Sequence, residues 1–223
     1  MRHSRYIIVL ALSLLSLVSC SRDPKVVEQR NLERGNAYFD KGKYHEAIIM
    51  YKRALEKDQK FGPAYYKLGL AYLKQSQLNL AVGAFRRTLD SLHEDKPDYW
   101  DALTKLTDIY LAAGRGDPNT MKEVEANIAR IIKHDPNSFD GIRMQGDFDF
   151  VHSIQQFQVG HKEEGVKALE EAIALYRRAD SIKPGDSGVQ LQMARTLKFD
   201  GKFTESEQLY QNVIAKIDRK SVV

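Results

Sequence analysis

The quadruplet Gly35-Asn36-Ala37-Tyr38 recurs 34 residues later as Gly69-Leu70-Ala71-Tyr72, with glycine, alanine and tyrosine in the same order. The dipeptide Ala47-Ile48 is followed at the same interval by Ala81-Val82. Self-similarity at a fixed period of about 20 to 50 residues is the signature of repeat architectures, in which each unit buries its apolar face against its neighbours. The chain is therefore predicted to be an array of repeats.

The same interval relates further positions that serve different roles. It joins three more pairs of residues, namely Tyr51 with Phe85, Gly42 with Ser76, and Tyr44 with Leu78. Near the other end of the chain, residues 201–206 repeat the pattern of residues 42–47. The match is strongest over 28–96 and 184–217, so the array is expected to fill most of the chain.

This pattern resembles the tetratricopeptide repeat, in which small residues at three fixed positions let two antiparallel helices approach closely while aromatic residues fill the space between them. Those positions hold Gly35, Ala47 and Ala54 in the first unit, and Gly69, Ala81 and Thr88 in the second. The resemblance implies an all-α fold, a superhelical solenoid of about five antiparallel helix pairs.

The units are expected near residues 28–61, 62–99, 100–138, 139–186 and 187–220, which together make an array over 28–220. The third unit has extra residues at 115–119, where Gly-Asp-Pro favours a loop. Capping boxes starting at Thr120 and Ser187 are predicted to begin the helices that follow. The fourth unit is 14 residues longer than the period, seven on each side of Gly160.

Seven residues make about two helical turns, so both helices of the fourth unit can lengthen without rotating their apolar faces. We therefore predict a protruding hairpin with helices at about 139–158 and 162–181.

The first 19 residues are predicted to be a secretory signal peptide, because Arg2 and Arg5 precede an apolar run from Tyr6 to Val18. That run reaches only about 20 Å as a helix, which is short of the ~30 Å hydrocarbon core. The next residues, Leu17-Val18-Ser19-Cys20, resemble a bacterial lipobox. The resemblance implies cleavage before Cys20, the only cysteine in the chain, and acylation of that residue.

Residues 20–27 then form a lipidated cysteine and a short linker. Two or more acyl chains anchor a protein firmly to a bilayer. Ser21 stands where lipoproteins kept in the inner membrane often carry aspartate, so the resemblance favours the bacterial outer membrane, on the side that faces the periplasm.

Composition and spacing argue against several other classes. The chain has 34 Lys and Arg against 30 Asp and Glu, and this small basic excess does not suggest a nucleic-acid partner. No nucleophile with its base, phosphate loop or metal-ligand spacing is recognisable. His152 and His161 lack a third ligand by spacing and are interpreted as surface histidines. A non-enzymatic protein without cofactor or metal is expected.

In the resembled family, the first helices of the pairs line a concave groove that receives extended or helical peptides. The positions carried over to this chain as groove residues are Asn36, Phe39, Tyr66, Leu70, Asp108, Arg143, Asp147 and Phe150. Leu32 occupies the position of a carboxylate-clamping lysine, so an amphipathic peptide is expected rather than a terminal carboxylate. The alternative for each aromatic residue is packing between neighbouring repeats.

The leading hypothesis is a lipid-anchored scaffold of the bacterial envelope that binds a protein or peptide partner and supports assembly or export of surface components. Two alternatives stay open: the front portion of a longer repeat protein in exopolysaccharide or surface-protein export, and a glycan-binding module. No capping helix follows Ile217. The last helix is therefore expected to be covered by further repeats, by a partner or by a second copy of the chain.

Overall fold

A computed structural model of the protein describes residues 23–113 and 117–221, which form α-helices joined by short turns and contain no strand. The described helices are α1 Pro24–Asp40, α2 Tyr44–Leu55, α3 Gly62–Lys74, α4 Leu78–Ser91, α5 Pro97–Ala113, α6 Pro118–His134, α7 Phe139–Gln158, α8 Lys162–Ile182, α9 Ser187–Phe199 and α10 Phe203–Ser221. The predicted all-α fold is confirmed. The signal peptide and Cys20 lie outside the described residues.

Helices pair along the chain, because α1 packs on α2, α3 on α4, α7 on α8 and α9 on α10. The chain divides into two compact units, each larger than a single repeat, the first ending at Leu106 and the second beginning at Thr107. From here on, "unit" means one of these two parts of the chain. The core of the second unit joins α7, α8 and α9 through Ile142, Tyr176, Val189 and Leu197. No helix in the described ranges is both long and apolar enough to cross a bilayer.

Each of these four pairs reverses direction in a three-residue turn that contains one residue with positive φ. Glycine fills this position at Gly42, Gly160 and Gly201, with φ of 70°, 86° and 77°. The second pair has Ser76 there, with φ of 57°. Because a residue with a Cβ atom adopts this left-handed conformation at a cost, the turn explains why glycine recurs at these positions.

Within three pairs, a glycine in the first helix lies against an aromatic ring from the second. Tyr51, Phe85 and Tyr176 are fully buried, and they face Gly35, Gly69 and Gly146 respectively. A Cβ atom added at Gly69 would lie 2.6 Å from Phe85 Cε1, and one added at Gly146 would lie 3.0 Å from Tyr176 Cε1. The glycines are therefore required by the close approach of the two helices.

The long fourth hairpin agrees with the sequence, since its helices α7 and α8 contain 20 and 21 residues. The two predicted capping boxes are wrong. Helix α6 begins at Pro118 with Asp117 as its N-cap, and α9 begins at Ser187 with Asp186 as its N-cap. The side chain of each aspartate accepts hydrogen bonds from two backbone N–H groups. Aspartate is among the strongest N-cap residues, so these carboxylates determine where the helices start.

We expect Gly69→Ala to lower the free energy of unfolding by about 1 to 3 kcal/mol, because the added methyl group collides with the buried Phe85 ring. The matched control is Gly83→Ala in α4, where nothing lies within 4 Å of the added atom. That control should gain up to about 1 kcal/mol from helix propensity. Urea unfolding of both variants measures the difference, and equal stabilisation of the two would contradict the packing argument.

Candidate functional site

In the first unit, the predicted groove residues are engaged largely within the chain. The Tyr66 ring is only 8% exposed, and its hydroxyl donates a hydrogen bond of 2.7 Å to Asp101 Oδ2. Asn36 accepts a hydrogen bond of 3.0 Å from the Tyr51 hydroxyl, and Phe39 packs edge-on against Tyr44. Leu70 is half-buried. Packing between repeats thus accounts for most of the Tyr66 surface.

In the second unit, three predicted residues meet in one cluster around the Arg143 guanidinium. Arg143 Nη2 lies 2.6 Å from Asp108 Oδ1, and Nη1 lies 3.0 Å from Asp147 Oδ2. A third carboxylate, Asp140, lies 3.4 Å from Nη2. Residues 140, 143 and 147 are one helical turn apart along α7, so their side chains share one face of that helix.

The Asp147 carboxylate is held from a second side by neighbouring helices. Its Oδ1 atom accepts hydrogen bonds of 2.7 Å from the Tyr176 hydroxyl and 3.1 Å from Gln192 Nε2. Both carboxylate oxygens are therefore satisfied, and α7, α8 and α9 each contribute to the site. Spacing along the sequence could not identify Tyr176 and Gln192, which lie 29 and 45 residues away from Asp147.

The cluster carries more negative than positive charge. Arg143 is 18% exposed, whereas Asp108 and Asp140 keep 41% and 50% of their side chains exposed. Burial raises the pKa of Asp108, with further increases from Asp140 and Asp147 that oppose the lowering by Arg143. Burial alone would lower the pKa of Arg143, but the three carboxylates raise it overall. A second cation from a partner would thus find two accessible carboxylates.

An aromatic cluster continues along α7. The Phe150 ring lies 6.0 Å from the Phe199 ring in a T-shaped arrangement, and Phe157 lies 5.6 Å from the same Phe199 ring. Phe199 itself is 51% exposed. Phe150 is among the residues predicted to line the groove, whereas Phe157 is not. The spacing of Phe150 and Phe157, two turns on one helix face, was an available signal.

We call these residues together the α7–α9 face, after the two helices that carry most of them. Its members are Asp108, Asp140, Arg143, Asp147, Phe150, Phe157 and Phe199. Along α7 the charged residues lie at positions 140–147 and the aromatic residues at positions 150 and 157, so Arg143 and Phe157 are 14 residues apart, which is about 21 Å along the helix. Such a surface is complementary to an amphipathic segment that has a basic side chain at one end and apolar anchors at the other.

The two histidines singled out in the sequence are both exposed and lie near Gln156. Among the described residues, no three His, Cys, Asp or Glu side chains form a group that could hold a metal ion.

Two family models match the chain. One, described as a TPR repeat, matches residues 35–76, and the other, described as a tetratricopeptide repeat, matches residues 66–117. Among curated proteins, a STIP1 homologue from Dictyostelium discoideum is 23% identical over 167 residues, and the human RNA polymerase II-associated protein 3 is 35% identical over 88 residues. These matches cover 67% and 30% of the chain but only 30% and 13% of the relatives.

Solved structures share the fold over most of the chain. YrrB, a TPR protein with an unusual peptide-binding site, has a TM-score of 0.57 at 16% identity and covers 83% of the chain and 84% of its own. PilF of Pseudomonas aeruginosa has a TM-score of 0.58 at 16% identity, covering 87% and 78%. MamA of Desulfovibrio magneticus has a TM-score of 0.63 at 13% identity, covering 87% and 96%.

We expect Arg143→Gln to destabilise the protein by about 2 to 4 kcal/mol, because it leaves the buried Asp147 carboxylate without its cation. The matched control is Arg177→Gln, which breaks an exposed ion pair of 2.8 Å with Glu205. That control should cost less than about 1 kcal/mol. Urea unfolding monitored by circular dichroism compares the two, and equal costs would contradict a structural role for the cluster.

Proposed function

We propose that this chain, which belongs to the tetratricopeptide-repeat family, is a scaffold that binds an amphipathic segment of a partner protein on its α7–α9 face. The observation that carries the proposal is the exposed Phe199 ring, held against Phe150 and Phe157 beside a cluster with excess negative charge. Large aromatic side chains next to rigid charged groups are typical of binding hot spots.

Rigidity of the charged end supports this role. Because Asp147 is fixed by Arg143, Tyr176 and Gln192, the exposed carboxylates of Asp108 and Asp140 are presented in a defined position. A site that is already ordered loses little side-chain entropy when a partner binds. The exposed carboxylates favour lysine or arginine in the partner, and the phenylalanine cluster favours an apolar side chain about two to four helical turns further along α7.

The likeness to solved structures supports the fold of such a scaffold. YrrB is described as having a peptide-binding site, and this supports our proposal that the ligand of the present chain is a peptide segment. The proposed site uses only those groove residues predicted from the family resemblance that lie in the second unit. Tyr66 is buried, so our proposal places the contact with the partner on the second unit.

We further propose that the scaffold is anchored to the bacterial outer membrane by acylated Cys20 and faces the periplasm, where it supports assembly or export of surface components. The lipobox-like residues 17–20 support this placement. Helix α1 begins at Pro24, only four residues after Cys20. An extended segment of that length spans about 14 Å, so the first unit would lie close to the bilayer.

Site-specific photo-crosslinking tests the binding face. With p-benzoylphenylalanine in place of Phe199, we expect a protein adduct in the producing cells, and mass spectrometry should identify a segment with basic and apolar residues. The control position is Phe203 at the start of α10, which is also strongly exposed. The adduct at position 199 should disappear in an Asp108→Asn, Asp140→Asn background. The same adduct at both positions, or none at 199, would overturn the proposed site.

Acylation is tested on the full-length chain. We expect metabolic labelling with an alkynyl fatty acid to mark the parent and not Cys20→Ser, because the thiol is the acceptor of the lipid. The processed parent should remain with sedimented membranes after a high-salt wash. An unlabelled parent, or equal labelling of the two proteins, would contradict the anchor while leaving the binding face untouched.

A further inference from the structure

A cleft of about 420 Å³ lies between the first two helices, on a surface that the proposed partner site does not use. Its lining combines three basic residues with apolar and aromatic ones, namely Arg34, Ala37, Tyr38, Lys41, Met50 and Arg53. No acidic side chain is among them. The cleft is therefore a concave surface lined by basic, apolar and aromatic side chains.

The three basic side chains are not neutralised from within the chain. Within residues 23–113 and 117–221, Arg34, Lys41 and Arg53 are exposed, and none has an ion pair or side-chain hydrogen bond. In the second unit, by contrast, Arg143 contacts three carboxylates. Three unpaired cations around one cleft create a positive potential that attracts anions.

The cleft continues into an exposed stripe along α1. Val26, Arg30, Arg34, Ala37 and Lys41 follow one another at intervals of three or four residues and are all exposed. The opposite side of α1 holds the buried residues Glu28, Leu32 and Gly35. The exposed side of α1 thus presents two arginines and a lysine beside Val26 and Ala37, and such a basic stripe is attracted to an anionic surface.

We propose that the α1–α2 cleft binds the phosphate-bearing headgroups of anionic phospholipids, so that the first hairpin lies against the membrane surface. Arginine matches phosphate oxygens with two parallel hydrogen bonds, which suits Arg34 and Arg53. Tyr38 is partly exposed at the cleft. Tyrosine is enriched at the level of the lipid headgroups, because its ring is apolar while its hydroxyl group can contact water.

The choice of a lipid over an acidic protein rests on the proposed lipid anchor. Acylated Cys20 would hold α1 within about 14 Å of the bilayer, and such tethering raises the effective concentration of headgroups at the cleft. The sequence from residue 24 to residue 55 has seven basic residues against four acidic ones. Of the four acidic residues, Glu28 is buried on the side of α1 away from the stripe, whereas Glu33 is exposed beside Val26 and Arg30. None of the four lines the cleft itself.

The test uses the full-length chain with Cys20→Ser, which cannot be acylated, and two kinds of vesicle. One is phosphatidylcholine alone, and the other is phosphatidylcholine mixed with phosphatidylglycerol. The apolar run at residues 6–18 contributes equally to binding of both kinds of vesicle. The measured quantity is therefore the ratio of the partition coefficient for the anionic vesicles to that for the neutral ones. Each basic residue near an anionic surface contributes about fivefold, which predicts a ratio that falls up to about a hundredfold in the variant Arg34→Gln, Lys41→Gln, Arg53→Gln.

The matched control removes three charges from exposed positions of the same unit, in Lys60→Gln, Lys74→Gln, Arg87→Gln. It should keep most of the preference for phosphatidylglycerol, and the preference of the parent should decline as salt is raised. Equal losses in both triple variants would overturn the site and indicate net charge alone. If the unsubstituted parent shows no preference for the anionic vesicles, the proposal is also overturned.

A competition arm separates a lipid headgroup from a free anion. Inorganic phosphate at constant ionic strength should leave the vesicle preference nearly unchanged, because the membrane presents many headgroups at once. Loss of vesicle binding at low phosphate concentration would assign the cleft to a soluble phosphate instead and overturn the membrane proposal. Acylation at Cys20 and crosslinking at position 199 are measured in separate experiments. Failure of the proposed function is therefore distinguishable from failure of the α1–α2 cleft to bind anionic lipid.

Discussion

The contact between a buried aromatic ring and a glycine in the facing helix is the constraint on which three of the helix pairs depend. Tyr51, Phe85 and Tyr176 are fully buried, and a single methyl group on the opposing glycine would overlap the ring or press closely against it. Core packing is dense enough that such an added atom must displace its neighbours. The ring therefore determines how closely the two helices approach, and the positive-φ turn allows the chain to return at that spacing.

The residue after each glycine is matched to the ring. Asn36 accepts from the Tyr51 hydroxyl and Asp147 accepts from the Tyr176 hydroxyl, whereas Leu70 follows the glycine that faces Phe85, which has no hydroxyl group. A buried hydroxyl needs a partner, so a polar residue accompanies tyrosine and an apolar one accompanies phenylalanine. In the α7–α8 pair, the Tyr176 hydroxyl takes Asp147 as its acceptor, and the Asp147 carboxylate in turn holds Arg143. The proposed binding face thus depends on the same packing rule as the rest of the repeat.

Much of the fold could be predicted from the sequence, because the 34-residue interval and the turn glycines are local patterns. The long α7–α8 hairpin followed from counting turns. The cluster of Asp108, Arg143 and Asp147 was predicted only as a list of positions. Tyr66 is buried and its hydroxyl reaches Asp101 in the next repeat, 35 residues on, and Phe199 joins Phe150 and Phe157 across two helices. Such pairings depend on side-chain direction, which spacing alone does not determine.

The matching of ring and acceptor can be measured directly with a double-mutant cycle that transfers the Leu70 and Phe85 pair to the first repeat. The cycle compares Asn36→Leu, Tyr51→Phe and the double variant by urea unfolding of the full chain. Either single change leaves one polar group without its partner, so we predict that the double variant is more stable than the sum of the two single effects by about 1 kcal/mol. Additive effects, within about 0.3 kcal/mol, would contradict the account.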